Sequence, residues 1–253
     1  MKTATLPNGL ELQFEVLGSP SRPVVMPILG MTDNITDWPE RFCDDFLEAG
    51  YCVVHHELRD MGLSSQCPGV EYTIADIARD VILLMDHLKI AQVDLIGYSF
   101  GGAIAQVLAL DAPERARRLV LLQSSNYNPS LPARSKDIEA AMTGACRIHD
   151  DHEGDIEAIR LLRLACGGSE HFMSDREARE SAERSVARAF RPEGTARLIA
   201  ARVRSAQFYH RLPGIRSRTL VLQATEDIPV GPRRGHRAPC AACPVGLSVR
   251  RRT

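Results

Sequence analysis

Apolar positions in the first half of the chain follow two periods, short runs suited to strands and 3.6-residue stripes suited to helices. LPNGLELQFEV carries the turn pair Asn8-Gly9 ahead of Leu10, Leu12, Phe14 and Val16 at every second position, which predicts a hairpin. PVVMPIL (23–29) is a continuous apolar run, as expected of a strand covered on both faces. PERFCDDFLEAG (39–50) reads as a helix stopped by Gly50, and YCVVH (51–55) as the next strand, with Cys52 inside it. From Thr73, TIADIARDVILLMDHLKI sets Ile74, Ile77, Val81, Leu84, Met85 and Leu88 on one helical face, with Thr73 as N-cap and Asp76 as first-turn acid. VDLI (93–96), SFGGAIAQVLALD and RLVLLQ (118–123) then read as strand, helix and strand.

Strand and helix alternating at this spacing predict an α/β fold, a mostly parallel sheet with helices on both faces. Residues 128–213 break the rhythm: DIEAIRLLRLA (155–165) and DREARESAERSVARAF (175–190) are helical patterns, and no strand pattern accompanies them. TLVLQ (219–223) restores the strand. The expected organisation is therefore a core from residues 1–127 and 214–230, with a helical cap, 128–213, laid over the strand ends where open α/β sheets bind ligands. At 253 residues and 44% hydrophobic, the chain is long enough to bury a full core.

Charge changes the picture at one end. The net charge is −1, but residues 231–253 hold six of the 31 Lys and Arg and none of the 32 Asp and Glu, so 25 basic residues face 32 acidic ones in 1–230. Such a body repels nucleic acid. The stretch 231–253 is 17 parts in 23 Arg, Pro, Gly, Ala and Cys and offers no amphipathic helix. It reads as an aberrant basic tail, the mark of a truncated or frameshifted C-terminus, so the last core strand and helix are expected to be missing.

No run approaches the roughly 18–20 apolar residues of a membrane helix, and MKTATLPNGLELQ lacks a basic leader and an apolar stretch, so a cytoplasmic protein that binds no membrane is expected. The seven cysteines are scattered, which points to free thiols, and the single CxxC at Cys240 and Cys243 lacks the second pair a zinc site needs. Composition leaves the oligomeric state open.

The chemistry concentrates in IGYSFGG. Gly97-Tyr98-Ser99-Phe100-Gly101 matches G-x-S-x-G between an apolar strand and a helix, the context in which a sharp turn lifts a serine hydroxyl clear of the sheet. A plain tight turn is the alternative. Serine is protonated at neutral pH and must pass its proton to a base as it attacks, so an acid and a histidine are sought elsewhere.

With this element in place, the chain resembles the α/β-hydrolase superfamily, and within it the cofactor-independent ester hydrolases of the aclacinomycin methylesterase type. The resemblance spans residues 5–230 and rests on ILGMTDNITDWP (28–39), LRDMGLSS (58–65), DLIGYSFGGAIAQVLALDAPERARRLVLL (94–122) and TLVLQATEDIPV (219–230). It implies the α/β-hydrolase fold, a small-molecule ester as substrate, and no cofactor or metal. The turn that supplies one oxyanion N–H falls on Leu29, Gly30 and Met31, which makes Met31 a donor, and the residue after the serine, Phe100, the other. Leu29 stands where the family has histidine, but that side chain is not the donor. The acid pattern aligns Asp227, with Glu226 its solvated neighbour. In RDMGLS, Arg59 and Asp60 are either loop-bracing groups or a solvated turn, and Glu57 stands near where the family carries aspartate. His55 and His56, ending a strand, are expected to be satisfied structural histidines.

Chain order in this fold is serine, acid, histidine, with a further helix and strand before the histidine. His236 is the one histidine after Asp227, and it lies in a loop of Arg, Gly and Pro with no packing to hold it, so it is a weak candidate base. His149, His152, His171 and His210 belong to the cap segment and His87 to the helix before the serine strand. The expected function is a serine hydrolase working through an acyl-enzyme and impaired by a missing base. Two alternatives stay open: a non-catalytic hydrolase-like ligand-binding protein, and a cofactor-free haloperoxidase-like hydrolase.

Overall fold

The computed structural model describes residues 1–128, 130–131, 136–167, 173–205 and 207–223. Glu226, Asp227, His236 and the pair Cys240 and Cys243 lie outside the described residues, as do His171 and the rest of 224–253.

Seven strands form one sheet in the order β1-β2-β4-β3-β5-β6-β7. They are β1 (Lys2–Thr5), β2 (Glu11–Leu17), β3 (Val24–Ile28), β4 (Cys52–His56), β5 (Val93–Tyr98), β6 (Ala116–Leu122) and β7 (Arg218–Leu222). β1 with β2 and β2 with β4 run antiparallel, and the other pairs are parallel. Gly9 turns the first hairpin at φ +84°, and Leu12 and Phe14 bury the alternating face that the sequence pattern predicts. All five residues of β3 are buried, as its unbroken apolar run requires, and so are all five of β4, although it ends in His55 and His56.

Helices α1 (Glu40–Glu48), α2 (Ile74–His87) and α3 (Phe100–Asp111) connect the strands. α2 begins at a full capping box in which Thr73 and Asp76 satisfy each other's backbone N–H. Its inner stripe, Ile74, Ile77, Val81 and Met85, packs with Met26, Ile28, Leu95, Ile104 and Leu108 in the main core. Each such side chain, fully buried, contributes about 1.5–3 kcal/mol. An aromatic row runs along α1: Trp38 stacks on Phe42 at 4.5 Å, Phe42 meets Phe46 edge-on at 5.1 Å, and Trp38 lies over His55 at 6.5 Å.

Between β6 and β7 the described residues form α4 (Lys136–Ala145), α5 (His152–Gly167), α6 (Asp175–Arg188) and α7 (Pro192–Arg204). Ala145, Ile156, Ile159, Leu162, Ala182 and Val186 make a separate small cluster across α4, α5 and α6, whereas Leu198 and Ala201 of α7 join the main core. Arginines tie these helices to the core loops: Arg163 to Asp33 and Asp37, Arg188 to Glu57, and Arg197 to Asp60. Among the described residues no helix is long and apolar enough to cross a membrane.

Two sequence readings are settled here. The turn at Arg59 and Asp60 is a brace and not a solvated loop: Arg59 makes a bidentate pair with buried Asp80 at 2.6 and 2.7 Å, and Asp60 accepts Tyr72 Oη at 2.6 Å and the Cys67 N–H at 2.8 Å. The histidine pair divides. His55 Nε2 lies 3.2 Å from Cys43 Sγ, but both ring nitrogens of His56 are buried without a partner among the described residues. Burial pushes both imidazoles down to about 4, so His56 sits in β4 as a neutral ring and avoids the larger cost of an unpaired charge. The described cysteines, Cys43, Cys52, Cys67, Cys146 and Cys166, form no disulfide with one another.

Candidate active site

The parallel register brings the strand ends to one level. Ile28 of β3 pairs with Gly97 of β5, Tyr98 with Leu122 of β6, and Leu122 with Leu222 of β7. The turn after β3 and the turn after β5 therefore emerge side by side.

Ser99 occupies the second of these turns, between β5 and α3, with φ 51° and ψ −116°. L-residues rarely hold that conformation, which costs about 1–3 kcal/mol and persists only where the surroundings fix it. Here the Ser99 N–H donates to the Leu122 carbonyl at 2.9 Å, and the Ser99 carbonyl accepts from the Gly102 N–H at 3.1 Å and from Ser124 Oγ at 2.7 Å. Glycine is required beside it for space: a Cβ on Gly97 would run into the backbone of Gly101 and Gly102, and one on Gly101 into the carbonyls of Ile28 and Leu29. The first turn of α3 is thus pressed directly against the Leu29-Gly30-Met31 turn.

Phe100 and Met31 bury their side chains at 1% and 6% exposure, so both backbones are anchored. Among the described residues no acceptor is bonded to the N–H of either one. The Phe100 N–H also opens α3, at the end of the helix that favours negative charge. A half-buried hydroxyl beside two uncommitted donors can present a nucleophile to a carbonyl whose oxygen those donors receive.

Among the described residues no base joins this cluster. No described side chain is hydrogen-bonded to Ser99 Oγ. His55 is engaged with Cys43, His149 Nδ1 with Asp155 at 3.1 Å, His87 lies edge-on to Phe14, and His210 against Tyr209. The candidates Asp227 and His236 lie outside the described residues. Among the described residues no group of three or more His, Cys, Asp or Glu is arranged to hold a metal.

The structure adds a buried network that sequence reasoning missed. Asp33 Oδ2 accepts the Gly30 N–H at 3.0 Å, while its other oxygen pairs with Arg163 of α5. Arg163 also holds Asp37 at 2.7 Å, and Asp37 accepts from the Asn34 N–H at 2.8 Å and from Ser185 Oγ at 3.1 Å. Burial, opposed by Arg163 and reinforced by Asp33, pushes the Asp37 carboxyl up to about 6. Burial disfavours the Arg163 charge, but the two carboxylates hold it above its ordinary value. The spacing of Asn34 and Asp37 is a capping-box signal, which is observed here. Nothing in the sequence around Arg163 marks its partners, since they lie 126 and 130 positions away.

A family model described as alpha/beta hydrolase fold matches residues 23–146. A rhodomycin D methylesterase of Streptomyces peucetius is 31% identical over 147 residues, covering 57% of this chain and 48% of that protein. A second rhodomycin D methylesterase, of Streptomyces sp. strain C5, is 30% identical over 174 residues, 67% of this chain and 57% of that protein. The chain thus spans about half the length of these relatives. Among solved structures, a hydrolase from Pseudomonas aeruginosa PA01 superposes with a TM-score of 0.71 at 23% identity, over 90% of this chain and 82% of that one. With the strand order, the parallel register and the strand-to-helix serine turn, these likenesses identify the chain as a member of the alpha/beta hydrolase fold family.

Proposed function

We propose that this protein is a serine hydrolase of small-molecule carboxylic esters, acting through an acyl-enzyme at Ser99. The observation that carries this reading is the strained backbone of Ser99 at the strand-to-helix turn, held next to two N–H groups that have no acceptor among the described residues. In the mechanism, Ser99 Oγ attacks the ester carbonyl carbon, and the carbonyl electron pair moves onto oxygen between the N–H groups of Met31 and Phe100. Collapse of this intermediate expels the leaving group as an alcohol, which carries off the proton given up by Ser99, and leaves the acyl group on Ser99; water then releases the acid. One such donor is worth about 3 kcal/mol of transition-state stabilisation. Asp227, a few residues beyond β7, is the proposed orienting acid, and helices of the 128–213 segment are the proposed cap over a core of 1–127 and 214–230. The names of the relatives favour a methyl ester. We propose a cytoplasmic location.

The proton on Ser99 needs an acceptor, and none of the described histidines is bonded to it. Slow turnover is therefore part of the proposal, because loss of a triad member costs several orders of magnitude while oxyanion donors and binding keep a residual rate. The same observation favours a second reading, ligand binding in the cleft without hydrolysis.

A fluorophosphonate probe tests the first reading. The wild type is expected to label slowly and Ser99→Ala not at all, and equal labelling of both removes Ser99 from the chemistry. Weak p-nitrophenyl acetate hydrolysis is expected to survive His236→Ala; a hundredfold loss, about 2.7 kcal/mol, shows that His236 supplies the base. Saturable ligand binding without product selects the second reading.

A further inference from the structure

We propose that Asp33 is a positioning residue for the Met31 oxyanion donor, and that Arg163, on helix α5, sets it. This inference rests on the assignment of Ser99 and Met31 given above. Met31 receives its N–H from the Gly30–Met31 peptide, and Gly30 is the softest place in the turn because glycine tolerates both signs of φ. Left to itself, that peptide can rotate and turn its carbonyl, not its N–H, toward the substrate oxygen. The preceding peptide is held by Asp33, whose Oδ2 accepts the Gly30 N–H at 3.0 Å. The carboxylate lies so close over Gly30 that a Cβ there would collide with Oδ2, and the same Cβ would stand 3.4 Å from the ring of Tyr98.

Asp33 is itself fixed from a distance. Arg163 pairs with its second oxygen and, through the other guanidinium nitrogen, with Asp37 Oδ1 at 2.7 Å. Asp37 in turn accepts the Asn34 N–H at 2.8 Å, so a single guanidinium grips both ends of the 33–37 segment that follows the oxyanion turn. All three side chains are shielded, at 14%, 5% and 8% exposure for Arg163, Asp33 and Asp37. In that setting the charge pairing is strong, and removing the cation leaves two buried carboxylates facing each other. The segment then relaxes by moving Asp33 away from Gly30. Seating of α5 and the geometry of the oxyanion donor therefore form one unit, although Arg163 touches neither Ser99 nor Met31 among its recorded partners.

Fluorophosphonate labelling of the full-length chain tests this, with the maximal labelling rate separated from probe affinity. Arg163→Met and Asp33→Ala are expected to lower the maximal rate about tenfold or more, with affinity nearly unchanged, as befits loss of an oxyanion donor. The double variant is expected to be no slower than the worse single one, because the two residues act in series. Arg163→Lys, which keeps a cation between the carboxylates, is expected to recover part of the rate. Circular dichroism checks each fold, and if Arg163→Met does not fold, Arg163→Lys and the isosteric Asp33→Asn carry the comparison. Folded variants that label at the wild-type maximal rate, or that lose affinity alone, overturn the positioning role while Ser99-dependent labelling keeps the hydrolase reading. Absence of Ser99-dependent labelling in the wild type overturns both.

Discussion

Ser124 Oγ donates a 2.7 Å hydrogen bond to the backbone carbonyl of Ser99. The residue two places past β6 thus holds the turn past β5, and the tip of one strand steadies the strained backbone of its neighbour. Ser124→Ala is expected to cost about 1 kcal/mol, the usual net value of such a bond. A lower urea midpoint with unchanged slope, and slower probe labelling of Ser99, are the outcomes to look for.

Strain at Ser99 can be separated from its hydroxyl. Ser99→Gly removes both, whereas Ser99→Ala removes the hydroxyl and keeps a Cβ at φ 51°. Relief of about 1–3 kcal/mol, less the extra unfolded-state freedom of glycine, leaves Ser99→Gly about 1 kcal/mol more stable than wild type. Urea denaturation is expected to rank Gly above wild type and Ala, with the last two close together.

Gly101 faces a steric limit of another kind. Its Cβ position is filled by the carbonyls of Ile28 and Leu29, which are backbone and cannot rotate away. Gly101→Ala is expected to cost about 2–3 kcal/mol and to pry α3 from the oxyanion turn, so probe labelling falls with stability. A thermal midpoint equal to wild type would contradict this packing.

Acid tolerance follows from three buried groups. His55 and His56 titrate near 4 in the folded protein against an ordinary 6.5, so the unfolded chain takes up protons first as pH falls. Their stabilisation is complete above pH 6.5 and is lost as pH falls toward 4. Asp37 works the other way: with its carboxyl pushed up to about 6 from an ordinary 3.8, the folded protein binds its proton first, a contribution lost as pH rises through 6. Two histidines outweigh one aspartate, so the thermal midpoint is expected to drop between pH 6.5 and 4. His56→Leu should flatten that drop at little cost near pH 7.5, because neither ring nitrogen gives up a bond. Asp37→Asn should steepen it.

The sheet was legible because its signals are local. The alternation Leu12, Phe14, the unbroken run in β3, and the Thr73–Asp76 cap each lie within a few residues of one another, and each element formed where its period placed it. The serine turn was legible for the same reason, its glycines being adjacent to it. What sequence could not supply is pairing at a distance. Arg163 reads as one more charge on an amphipathic helix, yet it is buried against Asp33 and Asp37. His56 reads as a polar strand end, yet its place in β4, the strand between β2 and β3, buries both ring nitrogens without a partner among the described residues. Both outcomes depend on which surface a residue meets after the chain has closed, and short-range spacing carries no record of that.

The aromatic row on α1 gives the protein an optical reporter. Trp38 is the single tryptophan of the chain, stacked on Phe42, over the ring of His55, and next in sequence to the carboxylate that Arg163 grips. Its indole N–H is buried without a partner among the described residues, a dry setting that shifts emission toward the blue. Because no second indole contributes, the fluorescence of the whole molecule reads one spot at the junction of α1, β4 and α5. Loosening of α5, or protonation of His55 and Asp37, is expected to register there as a red shift or a change in quenching, without a label and without turnover.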